Sequence, residues 1–107
     1  MKNDEIRVAV TSRSFSKNKT LCKELLQQYT NVTFNDDGLK LQGGALIAFL
    51  NGHHKAITAL EKINEELLSK LPELKVISKY GVGLDMIDMQ AMQKHKLKGF
   101  TLRPMYF

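Results

Sequence analysis

The 107-residue sequence predicts an α/β fold in which helices cover both faces of a parallel sheet. Short segments of β-branched and other apolar residues alternate strictly with segments of helical periodicity. Such alternation is typical of right-handed crossovers between parallel strands. Capping residues, glycines and a proline also mark boundaries between the segments.

The first two strands are predicted at residues 6–11 and 32–34, which are rich in β-branched residues. A polar loop is expected over residues 12–18. A helix should follow over about 20–29, where apolar residues recur at every fourth position. The turn residues 35–38 end the second strand.

The middle of the chain continues the alternation. Residues 44–50 predict an apolar helix with Gly52 as its left-handed C-cap, and residues 56–59 predict the third strand. Asn64 is the expected N-cap of the next helix, because two glutamates follow it in the first turn, where carboxylates interact favourably with the helix dipole.

A fourth strand is predicted at residues 74–78, before a Gly-Val-Gly turn. The next helix is expected from its N-cap Asp85 to about His95, and residues 99–103 predict a fifth strand. The complete order predicts a flavodoxin-like three-layer sandwich with a five-stranded parallel sheet of order 2-1-3-4-5.

Composition narrows the class of protein. Hydrophobic residues make up 43% and charged residues 25%, as in ordinary globular proteins, and the basic residues behind the net charge of +5 are scattered rather than arranged in a nucleic-acid-binding stripe. No apolar run approaches the roughly 20 residues that span a bilayer. The single cysteine, Cys22, fits a reducing compartment. We expect one cytoplasmic domain over residues 1–107 that binds neither nucleic acid nor membranes.

The turn Gly81-Val82-Gly83 lies between a predicted strand and a predicted helix. It does not fit a dinucleotide fingerprint, because Met86 occupies the place of the third glycine and no acidic residue follows Asp88. Two interpretations remain open from the residues alone. The glycines form a structural turn, or the backbone N–H groups of the turn bind an anion near the carboxyl end of the strand.

The histidines and paired carboxylates do not predict a metal site or a catalytic centre. His53 and His54 follow a helix C-cap, and adjacent residues of an extended segment do not converge on one ion. His95 closes a helix, where a positive charge is favourable. No nucleophile or paired carboxylate lies beside any of them in the sequence.

The segment from Val76 to Asp88 resembles the segment that leads into the substrate site of the D-isomer-specific 2-hydroxyacid dehydrogenases, the phosphoglycerate dehydrogenase-like family. The resemblance implies that the backbone amides of Val82 and Gly83 bind the carboxylate of a small 2-hydroxy or 2-oxo acid. Tyr80 and Gly81 would shape the loop. Lys79 stands where the family often has arginine, which keeps the charge but changes the donor geometry.

The loop after the third strand resembles the family's second wall of the substrate cleft, which assigns Thr58 and Ala59 to that wall. A plain strand-to-helix loop remains the alternative for these two residues. The resemblance covers most of the chain, from Val8 to about Thr101.

The family's NAD-binding domain, with its G-x-G-x-x-G loop, substrate-orienting arginine, glutamate and acid-base histidine, has no counterpart in this sequence. The chain is therefore expected to be a truncated substrate-binding domain that binds no cofactor and is inactive alone. In the intact enzymes of the family, hydride passes between NAD and the acid.

Two alternatives remain. The chain could be a free-standing flavodoxin-like module that binds a small anion or a protein partner, and that self-associates as a dimer through the face left uncovered by the missing domain. A receiver-like or flavin-binding protein is less favoured. The first and third strands end without a phospho-acceptor aspartate, and the hydroxyl-rich loop at residues 12–16 is typical of ordinary turns.

Overall fold

The computed structural model describes residues 5–59, 61–80 and 88–101. Strands and helices alternate along the chain, with two helices in the first crossover. The elements are β1 (Arg7–Val10), α1 (Arg13–Lys17), α2 (Lys19–Gln28), β2 (Asn31–Phe34), α3 (Gly43–Leu50), β3 (Lys55–Thr58), α4 (Glu65–Ser69), β4 (Val76–Lys79), α5 (Met89–Lys94) and β5 (Lys98–Thr101).

The strands pair in parallel, and the predicted order 2-1-3-4 of the first four strands is confirmed. β1 pairs with both β2 and β3, so that Val8 lies beside Val32 on one side and Lys55 on the other. β3 pairs with β4, and the backbone of Lys98–Thr101 lies beside β4 in the same direction. All carboxyl ends of these strands therefore meet at one edge of the sheet.

Two apolar clusters cover the two faces of the sheet. The larger cluster joins Ala9, Ala56 and Ile77 of three strands to side chains of α3, α4 and α5. The smaller cluster joins Val8, Val10 and Ile57 to α1 and α2. Successive residues of a strand thus contribute to opposite clusters, as the two-residue period of a strand requires.

The segment predicted as a polar loop contains the short helix α1, and the loop prediction was wrong there. Ser12 caps this helix, because its hydroxyl accepts a hydrogen bond from the backbone N–H of Phe15 at 3.1 Å. The Phe15 side chain is buried in the smaller cluster. The capping hydroxyl of Ser12 and the buried ring of Phe15 hold the helix against the sheet. Polar residues surround both in the sequence, so neither was recognised there as a helix signal.

The described part of the last helix begins at Met89, later than predicted. Its N-cap is Asp88, whose carboxylate accepts hydrogen bonds from the N–H groups of Gln90 and Ala91 at 3.1 Å. The predicted cap Asp85 lies outside the described residues. Gly52 follows α3 with a φ of 77°, so the predicted left-handed C-cap of α3 is confirmed.

Candidate functional site

The candidate site lies at the carboxyl edge of the sheet. β1 leads into Thr11 there, and β3 leads into Ala59. The chain runs from β1 outward to β2 and then returns past β1 to β3, so β1 and β3 flank the point at which the strand order reverses. In open α/β sheets, ligands bind outside the carboxyl ends of the strands at such a point.

Polar side chains at the ends of β1 and β2 are satisfied within the chain. The Thr11 hydroxyl lies 2.6 Å from Oε1 of Glu61 and 3.2 Å from the Ile57 carbonyl oxygen. Asn35 donates through Nδ2 to the carbonyl oxygens of Thr11 at 3.0 Å and Leu39 at 2.8 Å, and its Oδ1 accepts from the Leu39 N–H at 2.9 Å. This half of the edge is closed by its own hydrogen bonds.

Polar side chains at the ends of β3 and β4 are not satisfied in the same way. Thr58 and Ser78 are fully buried, and within the described residues neither hydroxyl has a hydrogen-bond partner. A buried hydroxyl without a partner costs free energy, about 1 to 3 kcal/mol by mutational measurements. Such groups are few in native folds, and a functional role or a bound water or ion is among their explanations.

Lys79 adds a cationic and largely buried side chain to the same half of the edge. It is 8% exposed, and the ion pairs and hydrogen bonds found among residues 5–59, 61–80 and 88–101 do not include its ammonium group. Thr58 and Lys79 are register partners on adjacent parallel strands, so their side chains leave the same face of the sheet. A cationic side chain and a buried hydroxyl therefore lie side by side on one face of the sheet at this edge.

Tyr80 follows β4 and is fixed by contacts on two sides. Its backbone N–H donates to the Thr58 carbonyl oxygen at 2.6 Å. Its ring packs edge-to-face against Phe15 with 5.3 Å between the ring centroids. The chain therefore enters the Gly-Val-Gly segment from a defined position.

Four residues that the sequence predicts to line the substrate site lie within the described part of the chain, and all four are at this edge: Thr58, Ala59, Lys79 and Tyr80. Their assignment to a substrate loop stays a prediction. The other predicted site residues, Gly81, Val82, Gly83 and Asp85, lie outside the described residues.

Glu61 is a member of the site that the sequence analysis missed. Its Oε1 accepts hydrogen bonds from the Thr11 hydroxyl at 2.6 Å and from the Ala59 N–H at 2.9 Å. The carboxylate thereby joins the end of β1 to the end of β3. A signal was present, because an acidic residue two positions after a predicted substrate-loop residue can return to the backbone N–H of that loop.

Two β-to-α turns have backbone donors that the chain's own side chains already use. The Ser12 hydroxyl accepts from the N–H of Phe15 at the start of α1, and Glu61 accepts from the N–H of Ala59 after β3. A pyrophosphate at either turn would have to compete with these side chains for the donors.

Shifted pKa values occur elsewhere in the molecule. Burial raises the pKa of the Cys22 thiol, with a smaller contribution from Asp36. Burial, followed by the charge of Arg7, lowers the pKa of His54, whose Nδ1 accepts the backbone N–H of Arg7 at 2.9 Å. The hydrogen bond that Nδ1 accepts requires the neutral form of the His54 ring.

The third shifted group, Glu65, lies at the start of α4. Hydrogen bonds from His95, and then from Lys94, lower the pKa of its carboxyl. These contacts fasten α4 to α5 rather than forming a reactive centre. Within the described ranges, no group of histidine, cysteine and acidic side chains could hold a metal ion, and no helix could cross a membrane.

A separate cavity of about 440 Å³ opens between α3 and α4. Lys62 and Lys70 line it together with Glu66, which pairs with Lys70 at 3.7 Å. Exposed lysines and glutamates are ordinary surface chemistry, and this ion pair is too exposed to define a ligand. The carboxyl edge is therefore the better candidate.

Solved structures of similar fold are 2-hydroxyacid dehydrogenases. A protein of Polaromonas described as a D-isomer specific 2-hydroxyacid dehydrogenase, NAD-binding, is 28% identical, with a TM-score of 0.78 over 88% of this chain and 29% of that chain. The NAD+-bound 3-phosphoglycerate dehydrogenase of Entamoeba histolytica is 20% identical, with a TM-score of 0.74 over 89% and 32%. The D-lactate dehydrogenase of Escherichia coli is 17% identical, with a TM-score of 0.72 over 91% and 31%.

The chain therefore spans less than a third of the length of each of these structures. Comparison with curated proteins finds no match. The family model for the catalytic domain of D-isomer specific 2-hydroxyacid dehydrogenases matches residues 8–102, which is most of the chain. Since fold and sequence agree, the protein belongs to the D-isomer specific 2-hydroxyacid dehydrogenase family, whose catalytic domain it contains.

Proposed function

We propose that this chain is the substrate-binding domain of an NAD-dependent 2-hydroxyacid dehydrogenase and that it holds the carboxylate of a small 2-hydroxy or 2-oxo acid. The observation that carries the proposal is the buried Lys79 beside the unpartnered hydroxyl of Thr58. In this proposal β5 completes a flavodoxin-like five-stranded sheet, and the carboxylate lies over the ends of β3 and β4.

The chemistry of the edge supports an anion rather than a neutral ligand. A buried ammonium group is stabilised when an opposite charge and further hydrogen bonds accompany it into the protein. A carboxylate supplies the charge, and its oxygens also accept from a neighbouring hydroxyl. The backbone amides of Val82 and Gly83, assigned to the carboxylate by family resemblance, would add two donors directly after Tyr80.

The chain is proposed to bind and orient the acid without completing the reaction. Hydride transfer needs a bound nicotinamide and a group that moves a proton at the 2-oxygen of the substrate. In the turns after β1 and β3, Ser12 and Glu61 already accept from the backbone donors that a pyrophosphate would use, which supports this division. In this proposal NAD and the proton-transferring residue belong to a part of the enzyme outside this domain.

A titration of the ¹⁵N-labelled chain with lactate, pyruvate and 2-hydroxybutanoate, followed by ¹H–¹⁵N correlation spectra, tests the proposal. We expect saturable shifts of the amides of Ala59, Lys79 and Tyr80. Propanoate, which lacks the 2-oxygen, measures how much of the response a carboxylate alone produces. No saturable response to any of these acids contradicts the proposed function.

Two matched variants assign the response to the site. Lys79→Met removes the buried charge and should raise the Kd for the acids by at least about tenfold, because a charged hydrogen bond to the ligand is lost. Lys23→Met removes an exposed charge of α2 and should leave the Kd unchanged. Equal loss of affinity in both variants would show general attraction to a basic protein instead of a site.

An activity assay tests the proposal that the chain alone does not complete the reaction. The purified chain with NADH and pyruvate should show no turnover above the buffer background. Rapid oxidation of NADH that depends on pyruvate would overturn the proposed division of labour between this domain and the rest of the enzyme.

A further inference from the structure

Glu61 places a negative charge at the rim of the proposed acid site. One of its oxygens, Oε1, accepts from both the Thr11 hydroxyl and the Ala59 N–H. The hydrogen bonds described for this chain do not involve the second oxygen, Oε2. Glu61 is itself partly exposed, so its charge faces the solvent-accessible edge.

The carboxylate of Glu61 and the ammonium group of Lys79 belong to the same edge of the sheet. Adjacent strands are about 5 Å apart, and only β3 separates the end of β1 from the end of β4. The described ion pairs do not join Glu61 to Lys79, so the two charges remain distinct features of the edge. The edge therefore attracts an anion at β4 and repels one between β1 and β3.

We propose that Glu61 is a specificity-determining residue that disfavours acids carrying a second anionic group at the end away from the reacting carbon; this inference rests on the proposed function. The ends of β1 and β4 are two strand spacings, or about 10 Å, apart, so the nearer end of a three- or four-carbon ligand held at Lys79 comes within about 10 Å of Glu61. That separation is slightly longer than the Debye length of about 8 Å at physiological ionic strength, so a partly screened repulsion between like charges remains.

The position of Glu61 makes it suited to this role. Its carboxylate is fixed by two hydrogen bonds from different strands, so the charge cannot swing away without losing both. A ligand with an uncharged tail meets a hydrogen-bond acceptor at Glu61, whereas a ligand with an anionic tail meets a like charge. Discrimination between two ligands can arise from such a repulsive element as readily as from an attractive one.

The test compares 2-hydroxybutanoate with malate, which differ by a methyl group against a carboxylate at the far end. Their Kd values are measured by the same amide titration with the wild-type chain, Glu61→Gln and Glu73→Gln. The glutamine in E61Q retains an oxygen that accepts from Thr11 and Ala59 but removes the charge. Glu73 pairs with Arg7 at the opposite edge of the sheet, so E73Q removes the same charge far from the site.

We expect E61Q to strengthen the binding of malate relative to 2-hydroxybutanoate by about twofold, the size expected for partly screened charges about 10 Å apart. E73Q should leave the ratio of the two Kd values unchanged. The dispersion of the amide spectrum checks that E61Q is folded, and Glu61→Ala serves as a second variant with the same expected change in the ratio.

The outcomes separate this inference from the proposed function. If both acids bind and the ratio is the same in wild type, E61Q and E61A, Glu61 does not determine specificity, although the acid site stands. If E73Q changes the ratio as much as E61Q, the effect is one of total charge and the inference is wrong. If neither acid binds the wild-type chain, the proposed function fails and this inference fails with it.

Discussion

The carboxyl edge of the sheet has two unlike halves. At the ends of β1 and β2, Thr11 and Asn35 are buried and satisfied by hydrogen bonds within the chain. At the ends of β3 and β4, the hydroxyls of Thr58 and Ser78 are equally buried but have no hydrogen-bond partner among the described residues, and the described ion pairs do not include the nearby Lys79. The first half is stabilised by its own hydrogen bonds, whereas the second half has polar groups that the described contacts do not account for.

The largest expected effect is on stability and concerns the ends of β1 and β2, where the polar groups are hydrogen-bonded within the chain. Asn35→Ala removes three hydrogen bonds of a residue that is 2% exposed and leaves the buried carbonyl group of Thr11 and the backbone groups of Leu39 without these partners. The free energy of unfolding should fall by about 3 kcal/mol. Urea denaturation measures it. A loss no larger than that of Asn18→Ala, which removes a single helix cap, would contradict the interpretation.

The same substitution in neighbouring strands should have opposite effects in the two halves. Thr11→Val breaks contacts to Ile57 and Glu61 and should lower the free energy of unfolding by about 2 kcal/mol. Thr58→Val replaces an unpartnered buried hydroxyl with a methyl group and should raise it by about 1 kcal/mol. Urea denaturation of the two variants and of the wild-type chain measures both changes. Destabilisation by Thr58→Val would show that its hydroxyl is satisfied in solution.

Lys79 should show whether its charge serves a ligand rather than the fold. Lys79→Met retains a long apolar side chain and removes the charge, so we expect the free energy of unfolding to change by less than about 0.5 kcal/mol while acid binding is lost. Denaturation of the chain free of acid measures the first effect. A larger decrease in stability would mean that the Lys79 charge is compensated within the fold.

The smallest expected effect is the pH dependence of stability due to His54, which lies at the opposite edge of the sheet. The pKa of His54 is lowered in the folded chain, so its neutral form is stabilised by folding. The corresponding stability is complete above the unfolded pKa of about 6.5 and is lost as the pH falls through the folded pKa. The hydrogen bond that His54 accepts from the backbone N–H of Arg7 is partly exposed. The free energy of unfolding should therefore fall by only about 0.5 kcal/mol when His54 becomes protonated.

Unfolding measured at several pH values tests the His54 effect. His54→Gln retains an acceptor for the Arg7 N–H and should remove this part of the pH dependence, whereas His53→Gln should preserve it. Equal slopes in the wild-type chain and H54Q would exclude His54 as the source.

Sequence patterns predicted the helices and strands where local signals agree. Asn64 before two glutamates fixed the start of α4, and Gly52 fixed the end of α3. Helix α1 was missed because its stability comes from the burial of Phe15 against the sheet, a contact that no local pattern encodes. Tertiary packing decides such short helices more than propensity does.

The candidate site was only partly predictable for a similar reason. Thr58, Ala59, Lys79 and Tyr80 could be assigned because a family pattern runs through the sequence around them. The burial of Lys79 and the absence of a partner for Thr58 among the described residues depend on strand order. Glu61 acquires its role only when β1 and β3 are neighbours, which requires the fold to be known.

The position of β1 between β2 and β3 has a consequence for how the chain acquires its structure. Val8 pairs with Lys55, and β2 and three helices lie between them in the sequence. Closing so long a loop is entropically costly, and parallel pairings of this kind slow refolding. During synthesis, β1 must therefore wait with one side unpaired until β3 has left the ribosome, and the nascent domain is most vulnerable to aggregation in that interval.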